Sequence, residues 1–273
     1  MSIPYHDFGG DGPVLHFAHP NAYPPESFKQ FGGALTARFH VVSQWNRALW
    51  PGSSPAEMND WELIGDDLIR FFEQQGYRDV VGVGHSLGGV ATLYAAVQRP
   101  ELFRKLIFID PVFLPPEVLA YAAANPEARG FKPMVERALK RRNHWPDRQA
   151  AFDRFRRKGV FKRFSDAALW DYVNAATVDD PAGGVALRFP REWEARYYAL
   201  PPLWVWAYVP RLTQPTLAIR AAETDTLFPA AWEEWQRLQP AAEFVEVPDV
   251  SHMLILEQPH TVADIILRFA AAP

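Results

Sequence analysis

Short apolar, β-branched runs alternate with longer amphipathic ones along most of this chain. Val14-Leu15-His16-Phe17-Ala18, the stretch 41–45, Asp79-Val80-Val81-Gly82-Val83, Leu106-Ile107-Phe108-Ile109, Thr216-Leu217-Ala218-Ile219-Arg220 and Phe244-Val245-Glu246-Val247 read as strands. Helical patterns fill 26–37, 58–75 and the stretch after Leu87, and a short edge strand is expected over 3–8, before the turn Gly9-Gly10-Asp11-Gly12. Such alternation predicts an α/β protein with a doubly wound, mostly parallel sheet. The pattern breaks at 113 and resumes at Pro215, and the stretch between shows helical periodicity without a convincing strand. The expected organisation is therefore a core made of 1–112 and 212–273, with 113–211 inserted as a helical cap. Prolines at 115, 116, 201, 202 and 210 mark its hinges.

Composition narrows the class without naming a substrate. With 273 residues, 48% apolar and 14% aromatic, the chain can bury one substantial core and a lid. A net charge of −4 gives no global reason to expect nucleic acid or a membrane as partner. There is no cysteine, which excludes disulfides and thiolate metal sites. The N-terminus lacks a basic and then apolar leader, and no apolar run approaches 18 residues, so a cytoplasmic protein, monomeric or homodimeric, is expected. No nucleotide, flavin or zinc-spaced motif is present, so no cofactor and no metal are expected. One anomaly remains: between 129 and 163 there are thirteen Lys or Arg against Glu136, Asp147 and Asp153, a local net of +10 that leaves −14 for the rest. Phe152, Phe155, Phe161 and Phe164 interleave with these charges, as in lid helices with a solvated face; steering of an anionic substrate, or docking to an acidic surface, is the sharper reading.

The chemistry centres on Gly84-His85-Ser86-Leu87-Gly88-Gly89, which sets a serine between glycines where a strand becomes a helix. A sharp strand-to-helix turn lifts the hydroxyl of Ser86 clear of the sheet, and the Leu87 amide at the helix N-terminus can face a developing oxyanion. A serine is a poor nucleophile at neutral pH without a histidine base and an acid that orients it. His252 is the histidine on a strand-end loop near the C-terminus. Asp225, on the loop after Thr216-Leu217-Ala218-Ile219-Arg220, is the expected acid; Asp110, at the end of Leu106-Ile107-Phe108-Ile109, is its rival, and Glu223 a third choice.

With nucleophile, acid and histidine in that order, the chain resembles the α/β-hydrolase superfamily over nearly its whole length, specifically its cap-bearing serine-hydrolase branch. The resemblance implies an α/β-hydrolase fold and a second oxyanion donor after an early strand. Here that loop is His19-Pro20-Asn21-Ala22-Tyr23-Pro24, where Pro20 stands in a position usually held by glycine. Proline removes only its own N–H, so the Asn21 amide is retained as donor, and His19 is expected to hold the loop by hydrogen bonding. The resemblance further implies cofactor-independent hydrolysis of a small-molecule carboxylic ester with a hydrophobic acyl or alcohol part. Relatives that keep the serine also cleave C–C bonds, thioesters or lactones, or act as perhydrolases, and a non-catalytic ligand receptor on the same fold is a reading of another class. Trp204, Trp206 and Tyr208 are expected to roof the acyl pocket.

Overall fold

The computed structural model describes residues 2–125, 127 and 130–271. Seven strands form one sheet in the order β1 (Tyr5–Gly9), β3 (His40–Gln44), β2 (Val14–Ala18), β4 (Val80–His85), β5 (Phe103–Ile109), β9 (Thr216–Glu223) and β10 (Glu243–Ser251). Every neighbouring pair is parallel except β1 with β3, so the short N-terminal run is an antiparallel edge strand. β4 is buried at all six positions, as expected of a central strand covered on both faces.

Successive strand residues point to opposite faces, and the core divides accordingly. Leu15, Phe17, Val81, Val83, Ile107 and Ile109 pack on one side with residues of α1 (Lys29–Leu35) and α12 (Pro259–Ala271). Val80, Leu106, Phe108 and Ala218 pack on the other with residues of α2 (Glu62–Gln75), α3 (Leu87–Gln98) and α10 (Pro229–Leu238). α11 (Leu254–Glu257) joins β10 to α12.

Between β5 and β9 lie α4 (Pro116–Ala124), α5 (Lys132–Leu139), α6 (Arg148–Arg156), α7 (Asp166–Ala176), α8 (Arg191–Ala199) and α9 (Val205–Tyr208). This stretch is not purely helical. β6 (His144–Trp145), β7 (Thr177–Asp179) and β8 (Val185–Leu187) form a small antiparallel sheet in the order β6-β8-β7. Strands of two or three residues carry too little period-2 pattern to be read from sequence. The turn that makes β7 and β8 a hairpin depends on Gly183 and Gly184 at positive φ and on the Asp180 carboxylate, which accepts from the Ala182 amide. Buried residues of this insertion belong to both core layers, among them Trp145, Phe155 and Tyr172 on one side and Trp193, Tyr197 and Val205 on the other. Among the described residues no helix is long and apolar enough to cross a membrane, and no three His, Asp or Glu side chains gather as a metal site.

Candidate active site

The carboxyl ends of β2, β4, β5 and β10 converge, the place where open α/β sheets present ligand-binding groups. At the end of β4 the chain must turn at once into α3. Ser86 makes that turn at φ +56°, ψ −119°, a strained conformation for a residue with a Cβ. Two glycines permit it. A Cβ at Gly88 would lie 1.9 Å from the Ala18 carbonyl oxygen, and one at Gly84 2.5 Å from that of Gly88. The elbow is pinned by the Ser86 amide donating to Ile109 O (3.1 Å) and the Gly89 amide donating to Ser86 O (3.1 Å).

His252 reaches Ser86 from the connection between β10 and α11: its Nε2 lies 2.9 Å from Ser86 Oγ and its Nδ1 lies 2.6 Å from Asp110 Oδ2. Asp110, not Asp225, thus makes the histidine contact. Asp110 follows directly on β5, which lies beside β4, and is fully buried, whereas Asp225 is exposed and, among the described residues, its carboxylate accepts only from Thr226 Oγ1 at 3.3 Å. The β9 loop contributes Thr224 instead, whose hydroxyl donates to Asp110 Oδ2 at 2.5 Å while accepting from the amides of Thr226 and Leu227. The Ala221 amide donates to Asp110 Oδ1 at 3.1 Å, so each carboxylate oxygen has at least one donor in addition to the histidine or beside it. Glu223 is engaged elsewhere, by Arg163 at 2.6 Å.

Behind His252 stands His85, the residue before Ser86 in the elbow. Its Nε2 donates to the His252 carbonyl at 2.9 Å and its ring lies 5.0 Å from the His252 ring. Complete burial holds its basicity well below the ordinary imidazole value, with the nearby His252 acting in the same direction, so His85 is a neutral donor that fixes the backbone of His252. The motif x position before a nucleophile gives no sequence signal of this. Glu257 secures the same loop, accepting from the Ser251 amide and hydroxyl.

Leu87 is the first residue of α3, and among the described residues no backbone bond engages the Leu87 or Asn21 amide. His19 holds the Asn21 loop: its Nε2 accepts from the Asn46 amide at 2.9 Å and its Nδ1 donates to Pro20 O at 3.0 Å. Burial lowers its pKa to about 4, the value of a neutral structural ring. Tyr23, on the same loop, packs against Tyr172 of α7 (4.8 Å between centroids) and Phe161 (6.4 Å), and the Tyr172 hydroxyl accepts from Arg141, which also pairs with Glu194 at 2.7 Å. No sequence motif marks this buried polar group beside the loop, because its members are scattered from 23 to 194.

Trp204, Trp206 and Tyr208 are placed differently from the expected roof. α9 is a single helical turn, so Trp204 and Tyr208 share a face (4.8 Å) and both pack on Tyr94 of α3. The indole of Trp204 donates to Asp60 Oδ1 and that of Trp206 to Leu114 O, both at 2.8 Å. These contacts clamp the end of the insertion onto α3, the residues just before α2 and the chain after β5. Trp204→Ala should therefore lower stability by about 2–3 kcal/mol in a denaturant titration, and leave chain-length preference on ester substrates unchanged; a shifted chain-length optimum would restore them to the pocket.

The sequence matches the Alpha/beta hydrolase family over residues 15–265. A Type I acyl-CoA thioesterase of Penicillium roqueforti is 35% identical over 149 residues, covering 49% of this chain and 33% of that protein. The chain thus spans about a third or less of the first curated relatives it matches. An sn-1-specific diacylglycerol lipase of Mus musculus is 24% identical over 285 residues, covering 99% of this chain and 86% of that one. Among solved structures, an E-2-(acetamidomethylene)succinate hydrolase superposes with a TM-score of 0.80 at 21% identity, over 98% of this chain and 94% of the other. With its family match, its parallel sheet and its serine elbow in agreement, this chain belongs to the alpha/beta hydrolase family.

Proposed function

We propose that the protein is a serine hydrolase that cleaves carboxylic esters or thioesters through an acyl-enzyme. The observation that carries this is the continuous hydrogen-bonded series Asp110 Oδ2–His252 Nδ1 (2.6 Å) and His252 Nε2–Ser86 Oγ (2.9 Å), set on a strained elbow. In that series His252 Nε2 takes the Ser86 proton as Oγ attacks the acyl carbon. Asp110 keeps the imidazole proton on Nδ1 and stabilises the imidazolium. The amides of Leu87 and Asn21 face the oxyanion of the tetrahedral intermediate. His252 then gives its proton to the leaving oxygen or sulfur, and a water activated by the same ring releases the acid. Ester and thioester share this sequence of steps, and the similarity to an acyl-CoA thioesterase supports keeping the thioester beside the ester.

A fluorophosphonate probe should label the wild-type protein and leave folded Ser86→Ala unlabelled, with turnover of 4-nitrophenyl acetate to butyrate lost in the same variant. Labelling of folded Ser86→Ala at the wild-type rate, or a wild-type protein inert to the probe and to the whole ester series, would overturn the proposal, the second outcome favouring a ligand receptor.

A further inference from the structure

Of the thirteen cations of 129–163, five are paired with carboxylates and three gather in one groove of the folded protein; Arg129 lies outside the described residues. Phe155, Phe161 and Phe164 are buried and Phe152 stacks on Trp170, so the segment does present an apolar inner side. Lys140, Arg141, Arg148, Arg156 and Arg163 are each paired with a carboxylate, mostly from outside the segment: Glu136, Glu194, Asp179, Asp166 and Glu223. Arg142, Arg154 and Arg157 are not. Among the described residues none of the three meets a carboxylate within ion-pair distance, yet all three line one surface groove of about 370 Å³, with Ala150 and Asp153. Arg142 is anchored there by its Nε, which donates to His144 O at 2.8 Å, leaving the two terminal nitrogens free to face the groove. Asp153 is the one acid in the lining, and its Oδ1 accepts from Gln149. Three guanidinium groups held together against one carboxylate repel each other unless an anion joins them.

The positive charge continues inward. Lys158, half-buried with its ammonium over the Phe155 ring at 5.3 Å, has its basicity lowered by burial first and then by both Arg141 and Arg154. Phe155 in turn packs on Tyr172 at 5.2 Å between ring centroids, which connects Lys158 to the Arg141–Glu194–Tyr172 group beside Tyr23 of the Asn21 loop. Guanidinium forks match phosphate oxygens bidentately, and a solvated groove suits a dianion better than a monocarboxylate.

Resting on the ester or thioester reading above, we propose that the groove lined by Arg142, Arg154 and Arg157 binds phosphate, carried by the alcohol or thiol part of the substrate while its acyl end reaches Ser86.

The test uses the full-length protein and the Arg154→Ser/Arg157→Ser double variant, both exposed positions whose replacement leaves the buried phenylalanines in place. Acetyl-coenzyme A and S-acetyl-N-acetylcysteamine carry the same acyl thioester with and without phosphates. The wild type should show a KM at least tenfold lower for the phosphorylated thioester at low salt; the double variant should lose that advantage, with kcat/KM on the phosphate-free thioester within about twofold, and added salt should erode the wild-type advantage in the same way. Calorimetry with pyrophosphate reads the groove without turnover. Pyrophosphate binding abolished in the double variant, without any KM difference between the thioesters, would keep the phosphate site but assign it to a free anion and overturn the substrate-borne placement. Equal KM values together with no pyrophosphate binding, while the phosphate-free thioester is hydrolysed, would overturn the groove and leave the hydrolase standing. Should neither thioester nor 4-nitrophenyl acetate be turned over, the hydrolase reading fails, and the pyrophosphate titration still decides the groove.

Discussion

Asp110→Asn should lower kcat about a thousand- to ten-thousandfold in a protein that remains folded, whereas Asp225→Asn should leave kcat within about twofold. The difference follows from where the two carboxylates sit. Asn at 110 can still accept from the Ala221 amide through its oxygen, which turns its NH2 group toward Thr224 and His252. His252 must then offer a lone pair at Nδ1 and carry its proton on Nε2, so the nitrogen facing Ser86 has no lone pair to receive a proton. Asp225 meets neither His252 nor Ser86, and its replacement alters an exposed loop. Steady-state kinetics on 4-nitrophenyl esters, with circular dichroism to verify folding, measures both. Loss of activity in Asp225→Asn with retention in Asp110→Asn would return the acid to the β9 loop.

Acid should unfold the protein well before its carboxylates titrate. Burial lowers the pKa of His16 to about 3 and of His19 to about 4, and holds His85 well below its ordinary value. In the unfolded chain each ring takes a proton near pH 6.5, which the folded protein refuses, so the unfolded state binds more protons and stability falls as pH drops below that value. The loss accumulates from about pH 6.5 down to the folded values. At pH 5 the rings of His16 and His19 together account for about 4 kcal/mol, a large share of the net stability of a domain, and His85 adds in the same direction. Urea titrations at pH 7.5, 6 and 5 should therefore show a steep fall in midpoint. His16→Gln, in which an uncharged acceptor can still meet the Gln44 amide, should flatten it by about a third to a half. A midpoint unchanged between pH 7 and 5 would mean that the buried rings take up protons without opening the fold.

How far the amino-acid order alone reaches can be judged at individual residues. The hydrophobic alternation carried the parallel sheet, and with it Ser86 and His252, because a strand buried on both faces and a glycine-flanked serine impose local geometry that little in the surroundings can alter. The same local logic placed His19 as the holder of the Asn21 loop. Which carboxylate meets His252 was not decided locally. Asp110 and Asp225 both follow sheet strands, and the choice rests on β5 lying next to β4 and on Thr224 reaching back to Asp110 across 114 residues of sequence. The insertion shows the same limit: Trp204, Trp206 and Tyr208 alternate as a pocket wall would, yet one turn of helix and two distant acceptors draw Trp204 and Tyr208 onto Tyr94 of α3, with Asp60 as the Trp204 acceptor, and Trp206 onto Phe113 and the Leu114 carbonyl. Sequence determines what a residue can do within a few neighbours, through backbone freedom, periodicity and hydrogen-bonding capacity; which of several capable residues are brought together is a property of strand order and long-range packing.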